Sequence, residues 1–166
     1  MKRITSLIAT LLLTACASYS GSGLKPGEAT LEQVQAAMGP PALRWQDADG
    51  SVQLAYPRGP NGFHTYMVKL GPDKRLQSIK NVLNEQTFGH IVAGLSKDEV
   101  LRLLGPSDQS RSVYYKARDE LAWEWRFRDA FNSPARFVVL FDATAGTVRS
   151  SMILHEYHDE QRFFMR

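Results

Sequence analysis

Two stretches of the chain carry the same succession of apolar and polar positions. Thr30-Leu-Glu-Gln-Val-Gln-Ala-Ala-Met-Gly-Pro-Pro41 aligns residue for residue with Ser96-Lys-Asp-Glu-Val-Leu-Arg-Leu-Leu-Gly-Pro-Ser107. Thr30 and Ser96 are placed to cap a helix. Gln33 and Glu99, three residues on, complete a capping box in each. Val34 and Val100, with Met38 and Leu104 one turn later, form the inward face. Gly39 and Gly105 are expected to end the helices with left-handed backbone, and Pro40 and Pro106 to prevent continuation. Three strand-like runs follow each helix. Leu54-Ala55-Tyr56 aligns with Leu121-Ala122-Trp123, Tyr66–Leu70 with Phe137–Phe141, and Leu76-Gln77-Ser78 with Val148-Arg149-Ser150. Leu121, Trp123, Trp125 and Phe127 alternate with Ala122, Glu124, Arg126 and Arg128. That period of two predicts a sheet with one covered face. Phe137 to Phe141 is apolar on both faces and suits a central strand. Asn84 to Val92 predicts a short helix before the second capped one. The expected fold is α+β: a tandem repeat of helices followed by a three-stranded antiparallel sheet, one copy over 25–83 and a second over 84–154. Copies of about 65 residues are marginal alone, so the two are expected to pack together.

The N-terminus has a different pattern. Lys2 and Arg3 precede a mostly apolar run from Ile4 to Ala15. As a helix that run rises only about 18 Å, too short for a hydrocarbon core of about 30 Å. Residues 1–15 therefore read as a secretory signal peptide. The single cysteine, Cys16, follows directly; one cysteine excludes an internal disulfide framework and a Cys-based zinc site. The ending Leu13-Thr14-Ala15-Cys16 resembles a bacterial lipobox. That resemblance implies cleavage before Cys16 and its acylation, with Cys16 as the lipid attachment site. The alternative is an ordinary signal peptide that contains a cysteine. Ala17, in place of the Asp that marks inner-membrane retention in similar lipoproteins, implies the outer membrane. Small polar residues after Cys16 make 16–24 a flexible tether. Removal of Lys2 and Arg3 lowers the net charge from +3 to +1 (18 basic against 17 acidic residues). A near-neutral chain without a basic stripe is not built for nucleic acid.

Gly94-Leu-Ser-Lys-Asp-Glu-Val-Leu-Arg-Leu-Leu-Gly-Pro106, preceded by Asn84–Val92 and followed by three strands, resembles the BamE (SmpA/OmlA) lipoprotein family. The resemblance is good over 84–154 and looser over 25–83. It implies a module on the periplasmic face of the outer membrane that supports the machinery assembling β-barrel proteins. Members of that family carry one copy of the module and this chain carries two. The tandem arrangement is similar to the β-lactamase inhibitor protein fold.

Motifs for enzymatic chemistry are missing: the chain contains no G-x-G-x-x-G, Walker A, G-x-S-x-G or H-E-x-x-H. The expectation is a non-catalytic protein without a cofactor. His155-Glu-Tyr-His-Asp-Glu160 has the residue types of a metal site, and a metal-assisted hydrolase using His155 and His158 is the enzyme alternative. The blander reading is a solvated tail over 155–166. His64 and His90 are isolated. In Trp123–Arg128 the aromatics read as core and the charges as a solvated or partner-facing surface. The hairpin loops Pro57–Gly62 and Asp129–Pro134 occupy the same place in the two copies. Phe131, in the middle of the second, either anchors a partner or folds back on the sheet. Arg126, Arg128, Phe131 and Asn132 are the candidate partner-binding residues. Phe163-Phe164-Met165-Arg166 forms a further apolar patch, placed to touch lipid headgroups, cover the sheet or remain disordered. The functional expectation is a protein-binding or scaffold lipoprotein of the outer membrane, with barrel-assembly proteins as partners. The alternative is an inhibitor-like periplasmic module for a soluble protein or a phospholipid.

Overall fold

The structure is a computed structural model that describes residues 20–59 and 62–156. The expected signal peptide (1–15), Cys16, the start of the expected tether and residues 157–166 lie outside the described residues. No helix among the described residues is long and apolar enough to cross a membrane.

The fold is α+β with two antiparallel sheets. Helix α1 (Leu31–Met38) is followed by β1 (Leu43–Gln46), β2 (Val52–Pro57), β3 (Thr65–Leu70) and β4 (Leu76–Asn81). Then come α2 (Glu85–Phe88), α3 (Lys97–Leu104), β5 (Val113–Tyr115), β6 (Glu120–Arg128), β7 (Pro134–Asp142) and β8 (Val148–His155). Each sheet has four strands in sequence order, one more than the three expected. The extra ones are β1 and β5, both at sheet edges. β5 is exposed throughout and has no alternation to reveal it; β1 does alternate, with half-buried Leu43 and Trp45 between exposed Arg44 and Gln46, but over only four residues.

Both helix starts follow the local chemistry. The Thr30 and Ser96 amides donate to Gln33 Oε1 (2.9 Å) and Glu99 Oε2 (2.8 Å). The Thr30 and Ser96 hydroxyls accept from the amides of the same two residues. Val34, Met38, Val100 and Leu104 are buried. Gly39 and Gly105 end the helices with φ of +82° and +75°. Asn84 caps α2 through the Thr87 amide.

Each sheet has a register shift in its last strand pair, between Lys69 and Leu70 and between Leu140 and Phe141. With those irregularities superposed, Leu70 corresponds to Phe141 and Leu76 to Val148, as the sequence alignment has it. The preceding strands do not agree with it. Leu54 faces Val68 and Trp123 faces Val139, so Leu54 corresponds to Trp123 and Tyr56 to Trp125. The alignment of Leu54 with Leu121 is two residues short. A slip of one residue would turn every side chain over, whereas a slip of two leaves the alternation intact and hence invisible.

Two cores result. In the first, Leu31, Val34 and Met38 of α1 cover Val52, Leu54, Tyr56, Val68 and Leu70. In the second, Phe88, Val100 and Leu104 pack on Trp125, Phe127, Phe137 and Phe141. Phe88 lies parallel to Phe137 at 4.1 Å and edge-on to Phe127 at 4.7 Å. Helix α3 also faces the first sheet, on the side away from α1. There Trp45 Nε1 donates to Asp98 (3.1 Å), Arg102 pairs with Asp47 (2.8 Å), and Gly105 lies against Thr65 and Ala55. One helix thus covers one face of each sheet and holds the halves together.

Both ends of the described chain are more tightly held than expected. Gly21 is buried against Ile79 and Met38, and Leu24 packs on the first core, so the tether is not free as far as residue 24. At the other end β8 includes His155, and Glu156 is bound by two arginines, so neither belongs to a solvated tail.

Candidate partner-binding site

The β6–β7 hairpin is built around Asp129. Its Oδ1 accepts from the amides of Phe131 (2.9 Å) and Ser133 (2.8 Å). Its amide donates to the Ser133 carbonyl, and its carbonyl accepts from the Asn132 amide. Asn132 has φ +60°, a conformation asparagine tolerates better than most side chains. Arg128 Nη1 donates to the Asn132 carbonyl at 2.7 Å. His155 Nδ1 lies 3.3 Å from Asp129 Oδ2, fastening the hairpin to the end of β8. All these bonds hold the turn, and none draws Phe131 inward. Its side chain stands 89% exposed at the tip. The Phe131 side chain therefore does not fold back on the sheet.

Arg126 and Arg128 flank a residue the sequence does not single out. Phe63, from the β2–β3 loop, has both guanidinium carbons 4.4 Å from its ring centre. Cations over an aromatic face are attracted by its quadrupole. This contact joins the two halves a second time.

Arg126 is also committed elsewhere. It pairs directly across the strands with Arg136, an unfavourable match of like charges. Glu156 relieves it: its two oxygens accept Arg126 Nε (2.8 Å) and Nη2 (2.7 Å), and Oε1 accepts Arg136 Nε (3.1 Å). The hydrogen bonds from Arg126 are the main reason the Glu156 carboxyl sits below its ordinary range, and Glu156 in turn raises Arg126. The structure therefore brings Arg128, Phe131 and Asn132 into one hairpin, and sets Arg126 behind them as an internal strut.

A cleft of about 390 Å³ opens between the β2–β3 loop and the Pro106–Ser110 segment, with β6 residues Glu124 to Arg126 on its wall. Pro57, Pro106 and Trp125 supply apolar wall, with Asp108, Glu124 and Arg126 at its polar side. His64 also lines it. Burial, aided by the nearby Arg58 and Arg128 cations, lowers the His64 pKa and favours the neutral ring.

The metal candidates are not assembled among the described residues, where no three His, Cys, Asp or Glu side chains converge. His155 faces Asp129 and Glu156 faces arginines; His158, Asp159 and Glu160 lie outside the described residues. Compared with family models, curated proteins and solved structures, the chain matches none.

Proposed function

We propose that this chain is a lipid-anchored, non-catalytic binding module of the outer membrane, built from two copies of a BamE-like unit. It grips another envelope protein through the Asp129–Ser133 hairpin. The observation that carries this reading is Phe131, an aromatic side chain 89% exposed on a turn already held by hydrogen bonds. A large apolar side chain on a pre-ordered loop loses little entropy on docking, which is the property of an interface anchor. The lipobox supports the anchor, and a membrane-tethered module gains effective concentration for partners on the same surface. Assembly of β-barrel proteins is the role the family resemblance suggests. A second reading draws on the same exposed Phe131: an inhibitor-like module whose protruding turn enters a concave site on a soluble periplasmic protein.

Capture of partners from gently solubilised outer membranes tests both. The wild-type chain is compared with Cys16→Ser and Phe131→Ala. Recovery of barrel-assembly subunits by the wild type, lost in Phe131→Ala, supports the first reading. One soluble protein bound in a fixed ratio moves the second to first place. Labelling by palmitate that survives Cys16→Ser removes the anchor from the proposal.

A further inference from the structure

Of the edge strands of the two sheets, β1, β4 and β5 are protected and β8 is not. β1 is four residues long and carries Arg44. β5 has three residues. β4 carries Lys80, and the segment before α1 lies along it: the Gly27 amide donates to the Leu76 carbonyl, and Gly21 packs against Ile79. Short strands, edge lysines and covering segments keep sheet edges from pairing with other chains. β8 is eight residues long, without lysine or proline, and its one arginine, Arg149, is paired with Asp142. Its outer edge is used at Val148, which donates to the Leu95 carbonyl and accepts from the Gly94 amide. Further along, the Glu156 amide donates to the Pro134 carbonyl of β7. By the period of two, the backbone groups of Ser150, Met152 and Leu154 also turn towards β7, and those of Ser151, Ile153 and His155 turn outward. Those outward groups have no hydrogen-bond partner among the described residues. Apolar side chains flank them on both faces. Met152 and Leu154, 42% and 47% exposed, lie on one face, and Ile153, 36% exposed, lies on the other beside Phe137.

We infer that β8 is a dimerisation edge: it pairs antiparallel with β8 of a second copy of this chain, about a two-fold axis through Ile153, and joins the two four-stranded sheets into one. Self-complementarity selects a second copy as the occupant. An axis at Ile153 sets Ile153 against itself, Ser151 against His155 of the copy, and Met152 against Leu154 of the copy. The outward-facing backbone groups of Ser151, Ile153 and His155 then meet only one another, with two hydrogen bonds for each directly opposed pair. Each of the three exposed apolar side chains gains an apolar neighbour across the junction, and Ile153 extends the second core past Phe137. Arg149 is not opposite itself, so no like charges face each other. A two-fold contact uses the same patch on both copies, so it consumes both β8 edges and cannot propagate into a fibre.

A single strand edge is a small contact beside stable interfaces of about 1,200–2,000 Å², so the test traps the dimer by a register-specific disulfide. Purified full-length variants Met152→Cys and Leu154→Cys are oxidised separately and as an equal mixture, with the parent chain as the blank for Cys16. In the mixture the two introduced cysteines fall in a non-hydrogen-bonded pair, about 4.5 Å apart at Cα. Either variant alone leaves its cysteines on a diagonal, about 7–8 Å apart, at or beyond the limit a disulfide spans. The expected result is about tenfold more linked dimer from the mixture than from either variant alone. Ile153→Cys should link to itself without a second variant, its Cα atoms being about 5.5 Å apart. Ile153→Lys, added to both members of the mixture, sets like charges opposite each other and should abolish the link while leaving the Tm unchanged. Equal yields from the mixture and the single variants would show random collision and overturn the inference. So would the absence of linked dimer, or a link that survives Ile153→Lys.

Discussion

Gly105 and Thr65, from opposite halves of the chain, touch so closely that a β-carbon on Gly105 would stand 2.7 Å from Thr65 Cγ2. Gly105 also has φ +75°. Two requirements therefore meet at one residue: left-handed backbone to end α3, and no side chain where α3 meets the first sheet. Gly39 meets only the first requirement, with φ +82° and open space, nothing within 4 Å, where a β-carbon would stand. Gly39→Ala should cost about 1 kcal/mol, the backbone penalty alone. Gly105→Ala should cost about 2–4 kcal/mol, because overpacking adds to it. Urea denaturation of both variants reads the difference. Equal losses would mean that the halves are not in register across Gly105.

Tyr56 and Trp125 hold corresponding positions in the two sheets and differ in one bond. Trp125 Nε1 donates to the Gly105 carbonyl at 3.1 Å, whereas the buried Tyr56 hydroxyl has no partner among the described residues. Burial raises the Tyr56 pKa. Trp125→Phe should lower stability by about 1–3 kcal/mol through the lost hydrogen bond and volume. Tyr56→Phe should be neutral or stabilising by up to about 1 kcal/mol, since it removes an unsatisfied polar group. Thermal melts of the two variants should move in opposite directions or, for Tyr56→Phe, not at all.

Glu156 makes stability depend on pH in a defined direction. Its folded-state pKa lies below the unfolded value, chiefly through the Arg126 hydrogen bonds. The stabilisation is therefore complete above the unfolded pKa of about 4.3 and is lost as pH falls through the folded value. Below that, Arg126 and Arg136 repel each other without a carboxylate between them. Glu156→Gln should cost about 1 kcal/mol at pH 7 and flatten the acid limb. Urea midpoints of wild type and variant should converge as pH drops towards about 3, below the ordinary carboxylate range.

Asp129 is a positioning residue whose removal should be felt at the tip of its hairpin. Asp129→Ala deletes the acceptor for the Phe131 and Ser133 amides and should cost about 1–2 kcal/mol. Asp129→Asn keeps that acceptor and should cost less. If Phe131 is the anchor, partner capture should weaken in Asp129→Ala and recover in Asp129→Asn, although the Asp129 side chain is only 6% exposed. Capture unchanged in Asp129→Ala would separate Phe131 from the contact.

Much of this architecture is legible along the chain because it depends on neighbours. A capping box spans three residues, so Thr30 with Gln33 and Ser96 with Glu99 identify both helix starts. Alternation along Leu121–Arg128 identifies a half-buried strand, and the Asp129–Pro134 turn residues locate the hairpin that displays Phe131. The contacts that only the tertiary structure decided join residues distant in sequence. β1 and β5 form because a neighbouring strand offers an unpaired edge; β5 buries too little to pattern its own sequence, and the alternation of Leu43-Arg44-Trp45-Gln46 in β1 is only four residues long. The two-residue offset between Leu54 and Trp123 is set by cross-strand pairing, to which a period of two is blind. Arg126 reads as a surface charge until Glu156, thirty positions on, and Phe63, from the other half, come to lie beside it. The amphipathic pattern of α3 announces one buried face. Its second face, with Asp98 and Arg102 against Trp45 and Asp47, is polar, and only the approach of another sheet turns such a surface into an interface.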